Sequence, residues 1–185
     1  MNSGLKQDTT TRMEKTIQAL KRDLASLRAG RATPSLLEKV TVEYYGSEMP
    51  INQMANVSVP EPRLLVIQPW DKSALAEIER AILKSELGLT PTNDGNLIRI
   101  SIPALTEERR AELVKVVKKT GEEAKVAIRN IRRDANEEVK KMEKNGELSE
   151  DELRRSQDEI QKLTDRFIKE ADQVVEDKEK EVMEV

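Results

Sequence analysis

The sequence contains no cysteine and no histidine. Disulfide bonds, thiolate chemistry, Cys/His zinc sites and histidine acid–base catalysis are therefore excluded, and so is a conventional serine triad. The seven glycines are scattered, and Gly-Lys-Ser and Gly-Lys-Thr do not occur, so the phosphate-loop motif is absent. The turn at Asp94 lacks the ligand spacing of a calcium loop. We therefore predict no catalytic residue, no metal site, no cofactor and no enzymatic activity.

Long apolar runs are also missing. No stretch approaches the ~18 apolar residues of a membrane-spanning helix, and residues 1–11 lack the apolar region of a signal peptide. We expect a soluble, cytoplasmic protein, and the lack of cysteine fits that compartment. The net charge is −3, so the overall charge does not indicate nucleic-acid binding, which would need a local basic patch.

Aromatic residues make up 2% of the chain and charged residues 36%, which is typical of long helices with narrow apolar faces. Apolar spacing of three and four predicts a helix over about Gln7–Ala29 and a second over Thr106–Lys144, the latter ~57 Å long. A capping-box pattern, Ser149 to Glu152, opens a third helix that extends to about Glu181. The positions expected to face inward are Met13, Ile17, Leu20, Leu24 and Leu27; Leu113, Val117, Thr120, Ala124, Ile128, Ile131, Ala135, Val139 and Met142; and Leu153, Ile160, Leu163, Phe167, Ala171 and Val174.

The region from residue 36 to residue 104 has a different character. Alternation predicts strands around Val42, at 57–59, at 64–67 and over Leu97–Ile102, and a helix over Ala74–Leu87. Asp71 or Ser73 is expected to cap that helix. The inward residues of the helix are predicted to be Leu75, Ile78, Ile82 and Leu83.

These patterns predict an α+β protein. Three helices with one apolar face each form an elongated antiparallel three-helix bundle from residues 1–29 and 106–185. A small β/α/β domain, residues 30–105, is inserted between the first two helices, and its two connections to the bundle form a hinge. The hinge residues are expected to be Gly30, Arg31, Ala104 and Leu105.

The central helix carries a cationic stripe opposite its apolar face, made of Lys115, Lys118, Lys125, Arg129, Arg132, Arg133 and Lys140. One interpretation is a solvated face stabilised by pairs such as Glu122 with Lys125. The other is a binding surface for RNA or another polyanion, favoured by the clustered arginines, whose planar groups suit bidentate phosphate contact. Because aromatics are scarce, backbone recognition of folded RNA fits better than base stacking.

Trp70 and the pair Tyr44 and Tyr45 can be explained by structural roles without a ligand site. A lone tryptophan in a small domain is more often a core or hinge anchor than a ligand site, so we expect Trp70 to have that role. The two tyrosines come at the end of a strand, where one should face inward and the other outward.

Three segments carry a family resemblance: Leu27–Pro34 (LRAGRATP), Pro69–Ser73 (PWDKS) and Ile128–Asn136 (IRNIRRDAN). The sequence resembles the bacterial ribosome recycling factor family over essentially its whole length. The resemblance implies an L-shaped, tRNA-like, monomeric two-domain protein that binds the large ribosomal subunit across the tRNA sites. With elongation factor G and GTP hydrolysis, such a protein splits the post-termination ribosome into subunits, while elongation factor G pushes the small domain about its connections.

The family's rRNA-contacting arginines map by resemblance to Arg132 and Arg129, and further to Arg133, Arg110, Arg28 and Arg31. The expected partners are thus 23S rRNA and elongation factor G, with no membrane and no DNA. Two other hypotheses remain at this point: a helical scaffold or adaptor protein with a solvated basic face, and an enzyme whose pocket lies in the β/α domain.

Overall fold

The computed structural model of the protein describes residues 3–27 and 30–184. It contains four α-helices, two small antiparallel sheets and short 3-10 turns. The helices are α1 (Ser3–Ala25), α2 (Leu75–Lys84), α3 (Glu107–Lys144) and α4 (Glu150–Met183). The strands are β1 (Thr41–Tyr44), β2 (Ser47–Pro50), β3 (Ala55–Glu61), β4 (Leu64–Pro69), β5 (Pro91–Asn93) and β6 (Ile98–Ser101).

The chain divides into two compact units. The first, here called the bundle unit, consists of residues 1–28 and 107–185, and the second, the small unit, consists of residues 29–106. Among the described residues, no helix has the length and apolar character needed to span a membrane.

The bundle unit is a three-helix bundle in which α3 packs against both α4 and α1. The inward-facing pattern of α1 is confirmed, since Met13, Ile17, Leu20 and Leu24 are all buried. The helix itself begins earlier than predicted and ends at Ala25, and the predicted end at Ala29 lies outside the described residues. A 23-residue helix has little stability by itself in water. The packing of those apolar residues therefore holds α1 in the bundle.

A buried lysine supports the end of α1. Lys178 of α4 is only 9% exposed, and its Nζ donates to the backbone carbonyl of Leu27 at 3.2 Å. Its ammonium also lies 3.4 Å from Glu181. A cation at the carbonyl end of a helix is favourable, because the last carbonyl groups lack partners within the helix. Lys178 therefore fixes the last residues before the chain leaves the bundle unit.

Helices α3 and α4 approach each other closely at a glycine. Gly121 is buried, whereas the neighbouring Thr120, predicted to face inward, is half-buried. A Cβ placed on Gly121 would lie 2.4 Å from Cγ2 of Val175. The absence of a side chain at Gly121 thus allows Val175 to pack directly against the backbone of α3.

The capping box that opens α4 is confirmed. The hydroxyl of Ser149 accepts from the Glu152 backbone amide at 3.1 Å, and the Glu152 carboxylate accepts from the Ser149 amide at 3.3 Å. Because only a short turn separates α3 from α4, the two helices pack as antiparallel neighbours.

The small unit consists of a hairpin, β1–β2, and a four-stranded antiparallel sheet in the order β3-β4-β6-β5. Leu65 and Ile67 of β4 face Ile100 and Ile98 of β6 in register. All four are fully buried, as are Ile78 and Ile82 of α2, in a single core. The predicted strands around 57–59 and 64–67 and at the end of the region are confirmed as β3, β4 and β6.

Several local predictions for the small unit were wrong. Strands β2 and β5 were not predicted, because Ser47–Pro50 and Pro91–Asn93 are only four and three residues long and show no apolar alternation. The helix α2 ends at Lys84 rather than at Leu87. Leu83, predicted to face inward, is 59% exposed. Trp70, predicted to be a core or hinge anchor, is 70% exposed and therefore lies outside the core.

A carboxylate joins the hairpin to the start of α2. The hydroxyl of Tyr44 donates to Oδ2 of Asp71 at 2.6 Å, while Oδ1 accepts from the amide and hydroxyl of Ser73 at 2.9 and 2.7 Å. Asp71 is thus the predicted cap, although it caps a 3-10 turn, Lys72–Ala74, that leads into α2. The Tyr44 hydrogen bond, followed by those of Ser73, lowers the pKa of Asp71. The same bond raises the pKa of Tyr44 to about 12.

We predict that Gly121→Ala destabilises the bundle unit, although alanine is favoured over glycine in a helix by about 1 kcal/mol. The added methyl would overlap Val175, and such overpacking typically costs about 1–3 kcal/mol. Chemical denaturation should show a lower free energy of unfolding. In a Val175→Ala background, where the obstacle is gone, the same substitution should stabilise the protein. An equal effect of Gly121→Ala in both backgrounds would contradict this packing.

We also predict a stability loss in alkaline solution that depends on Tyr44. The pKa of Tyr44 is raised to about 12 in the folded state, and the unfolded value is about 10. Between these values only the unfolded state has lost the proton, so the free energy of unfolding falls as pH rises from about 10 to about 12. Denaturation of the wild type and Tyr44→Phe at closely spaced pH values checks this. The difference in stability between the two proteins should shrink across that window, and a constant difference would refute it.

Candidate nucleic-acid interface

The cationic stripe of α3 divides into two groups by exposure. Lys125, Arg129 and Arg132 are half-buried, since they lie next to the apolar face on the side where α4 packs. The other four members, Lys115, Lys118, Arg133 and Lys140, are exposed. The half-buried members are held in place by neighbouring atoms, which makes them the better candidates for a defined binding surface.

Lys125 has a structural role in the bundle unit. Its Nζ lies 2.8 Å from Asp172 of α4 and 2.8 Å from Glu122 of α3. The hydrogen bond that Lys125 donates to Asp172, and then the one that it donates to Glu122, raises the pKa of Lys125. Two carboxylates neutralise this ammonium, so Lys125 joins α3 to α4 and is not available as a phosphate ligand.

Arg129 and Arg132 differ from Lys125 because neither is paired with a carboxylate of the described residues. Nη1 of Arg132 is 3.4 Å from the amide oxygen of Gln161, a long contact with a neutral group. The Gln161 amide nitrogen in turn donates to Asp165 at 2.8 Å. Within residues 3–27 and 30–184, Arg129 makes no hydrogen bond and no ion pair. Two guanidinium groups one helical turn apart therefore present uncompensated positive charge on one side of the bundle unit.

Asn136 continues this side of α3, one turn beyond Arg132. Its Oδ1 is buried and has no hydrogen-bond partner among the described residues. Arg133, nearer the exposed side, has only a long contact of 3.4 Å with Oδ1 of Asn130. The local charge is thus positive in a chain whose net charge is negative. A surface of this kind can bind phosphate groups through arginine donors.

The remaining predicted site residues differ in location and exposure. Arg110, in the first turn of α3, is half-buried, and its Nε is buried with no hydrogen-bond partner in the described part of the chain. Arg31 is exposed and belongs to the small unit. Arg28 lies outside the described residues. Gln161 was not predicted as a site residue. The antiparallel register of α3 and α4 places it beside Arg132, and no pattern in the sequence of α4 indicates that register.

The predicted hinge residues lie at the two ends of the small unit. Gly30 has a φ of +75°, and a Cβ at this position would lie 3.1 Å from Cγ of Leu105. The first and last segments of the small unit therefore touch each other at Gly30. Nearby, the amide of Ala32 donates to Pro62 at 2.8 Å, which ties the first segment to the sheet. Arg31 and Ala104 are both exposed.

The described residues contain no group of three or more acidic side chains placed to hold a metal ion. The polar groove of the small unit runs between α2 and the hairpin. It is lined by charged side chains that include Lys39, Glu43, Glu48 and the paired Glu77 and Arg80. Among the described residues, no nucleophile stands beside a general base there, so no arrangement favours the enzyme hypothesis.

Comparisons with known proteins show which family the chain belongs to. Residues 20–183 match the family model described as ribosome recycling factor. The ribosome-recycling factor of Bacillus subtilis (strain 168) is 63% identical over 185 residues, covering 100% of both chains.

Two solved structures resemble the chain in fold. A solution structure of a ribosome recycling factor is 45% identical and covers both chains completely, with a TM-score of 0.74. A chain from models of the T. thermophilus ribosome recycling factor and the E. coli elongation factor G bound to the E. coli post-termination complex is 51% identical over 98% of both chains. Its TM-score is 0.63. On the family match and the full-length identity, this protein belongs to the ribosome recycling factor family.

Proposed function

We propose that this chain is a translation factor that splits post-termination ribosomes into subunits, together with elongation factor G and GTP hydrolysis, in the cytoplasm. It binds the large subunit across the tRNA sites through phosphate groups of 23S rRNA. Membership of the family supports the role in recycling, and a structural relative has been placed with elongation factor G on the post-termination complex.

The observation that carries the rRNA proposal is the pair Arg129 and Arg132. Both are fixed on a 38-residue helix. Neither has a carboxylate partner in the part of the chain that the structure describes, whereas Lys125 on the same side has two. A merely solvated basic face would be expected to place its acids beside all three cations. The helix also provides a stiff support about 57 Å long for the contact. The asymmetry favours phosphate binding over the scaffold hypothesis.

The mechanism we propose divides the work between the two units. The bundle unit anchors the protein on rRNA, while elongation factor G pushes the small unit about its connections to the bundle. The residues that would bend are Gly30, Arg31, Ala104 and Leu105. Gly30 supports this choice, because its left-handed φ of +75° allows a backbone direction that other residues rarely adopt. GTP hydrolysis by the partner supplies the energy for splitting.

We expect Arg129→Ala and Arg132→Ala each to weaken binding to purified large subunits by about tenfold or more, the scale of a lost hydrogen bond to a charged group. The dependence of log Kd on log salt concentration should also lose about one unit of slope, because one fewer phosphate is neutralised. Equilibrium binding at several salt concentrations measures both effects. Arg155→Ala, an exposed arginine on α4, serves as the charge-matched control and should retain wild-type affinity.

Light scattering of post-termination ribosomes, with elongation factor G and GTP present, tests the recycling role itself. Splitting should require all three components and should fail with Arg132→Ala at limiting protein concentration. No splitting by the wild type, with binding to large subunits that does not depend on salt, would overturn the proposal and favour a scaffold protein.

The hinge proposal makes a separate prediction. Gly30→Ala should slow splitting severalfold, because alanine disfavours the left-handed φ and its Cβ would press against Leu105. Binding to large subunits should be unchanged. Gly88→Ala is the matched control: Gly88 has a φ of +66°, lies in the same unit and has open space around it. If both variants slow splitting equally, general strain and not the connection explains the effect.

A further inference from the structure

Gln161 of α4 bonds to a cation on one side of its amide and to an anion on the other. Its Oε1 accepts from Nη1 of Arg132 at 3.4 Å, and its Nε2 donates to Oδ1 of Asp165 at 2.8 Å. A guanidinium can only donate and a carboxylate can only accept, so these two neighbours allow only one orientation of the amide. Gln161 therefore stands between a positive and a negative group without carrying a charge itself.

Two contacts define the register of α3 against α4 near this site, namely those of Lys125 with Asp172 and of Arg132 with Gln161. Arg129 lies between the two cations on α3, one helical turn from each. Asp165 lies between their two partners on α4, four residues after Gln161 and seven before Asp172, a spacing that keeps all three on one side of the helix. The antiparallel register therefore brings Asp165 to the side of α4 that borders Arg129, where an ion pair would be expected.

The ion pair expected between these two residues is not formed. Among the described residues, Asp165 makes no ion pair, and its carboxylate is held instead by the amide of Gln161, one turn earlier on the same helix. Asp172 shows the other outcome: the residue one turn before it is Ile168, which has no side-chain donor, and Asp172 reaches across to Lys125 at 2.8 Å. A glutamine four residues before the aspartate thus directs the carboxylate along α4 and away from α3.

The consequence for the arginines follows from the charge of a carboxylate. Asp165 placed against Arg129 would neutralise that guanidinium and would occupy the donors with which arginine binds phosphate. Gln161 prevents this contact and gives Arg132 a neutral oxygen at a long distance, so both arginines keep their charge. Without the amide at position 161, this part of the stripe would resemble Lys125, whose charge is neutralised by two carboxylates.

We propose that Gln161 is a positioning residue of the rRNA-binding surface: it holds the Asp165 carboxylate along α4 and so keeps Arg129 and Arg132 available to phosphate groups. In this role Gln161 acts through the two arginines and not by touching rRNA itself. The proposal rests on the proposed function, in which these arginines bind rRNA, and it adds a residue of α4 on which their affinity for phosphate depends.

Gln161→Leu tests this role, because leucine suits a helix and provides no donor for Asp165. Binding to purified large subunits should weaken by about tenfold, the scale of a hydrogen bond to a charged group, and the slope of log Kd against log salt concentration should fall by about one unit. Adding Asp165→Asn removes the released carboxylate and should return both quantities to near the wild-type values. A role limited to packing would not be rescued by that second substitution.

Gln173→Leu is the matched control on the same helix. Gln173 donates to Asp177 at 2.9 Å with the same spacing, and neither residue bonds to an arginine in the described part of the chain, so this variant should bind as the wild type does. If Arg129→Ala and Arg132→Ala weaken binding while Gln161→Leu does not, the positioning role is refuted and rRNA binding is not.

A crystal structure of the Gln161→Leu variant tests the contact without ribosomes. The Asp165 carboxylate should lie within about 4 Å of the guanidinium of Arg129 or Arg132, the distance of an ion pair. A carboxylate that still points along α4, or a double variant that binds large subunits no better than Gln161→Leu, would overturn the proposal. Wild-type binding that does not depend on salt would refute the rRNA proposal itself.

Discussion

The bundle depends on one constraint: α3 is 38 residues long and has an apolar face along most of its length that it cannot bury by itself. Helices α4 and α1 cover that face from two sides, and at Gly121 the contact reaches the backbone. Because two sides of α3 are occupied by packing, its third side is left for solvent or ligands. The exposed members of the cationic stripe lie on that third side, whereas Lys125, Arg129 and Arg132 lie at the border with α4.

The same packing separates structural cations from available ones. Lys125 and Lys178 are drawn into contacts with carboxylates or a backbone carbonyl and stabilise the bundle. Arg129 and Arg132 lie on α3, as Lys125 does, but they have no carboxylate partner among the described residues. Charge type alone does not distinguish these roles, since all four are cations near a helix interface. What distinguishes them is the residue that the antiparallel register places opposite each one.

Periodicity predicted the long elements well, because a helix of several turns repeats its apolar signal many times. Met13, Ile17, Val139 and Phe167 were all assigned to the core on this basis. Strands of three or four residues are too short to show a repeating apolar pattern, so β2 and β5 could not be recognised. The predictions for Leu83 and Trp70 were based on their apolar residue type, but both side chains are exposed to solvent. For the candidate site, spacing indicated the arginine cluster of α3, and the family resemblance supplied the full set of rRNA-contacting arginines. The contact of Gln161 depends on a helix register that the sequence does not specify.

The bundle unit is discontinuous in sequence, and this affects how the chain can fold as it is synthesised. The small unit, residues 29–106, is continuous and can fold once it has emerged. Helix α1 emerges first yet must wait for α3 and α4, a delay on the order of ten seconds at typical rates of about 5–20 residues per second. During that time Met13, Ile17 and Leu20 have no partners to cover them. A nascent chain of this protein therefore exposes the apolar side chains of α1 until α3 and α4 have been synthesised.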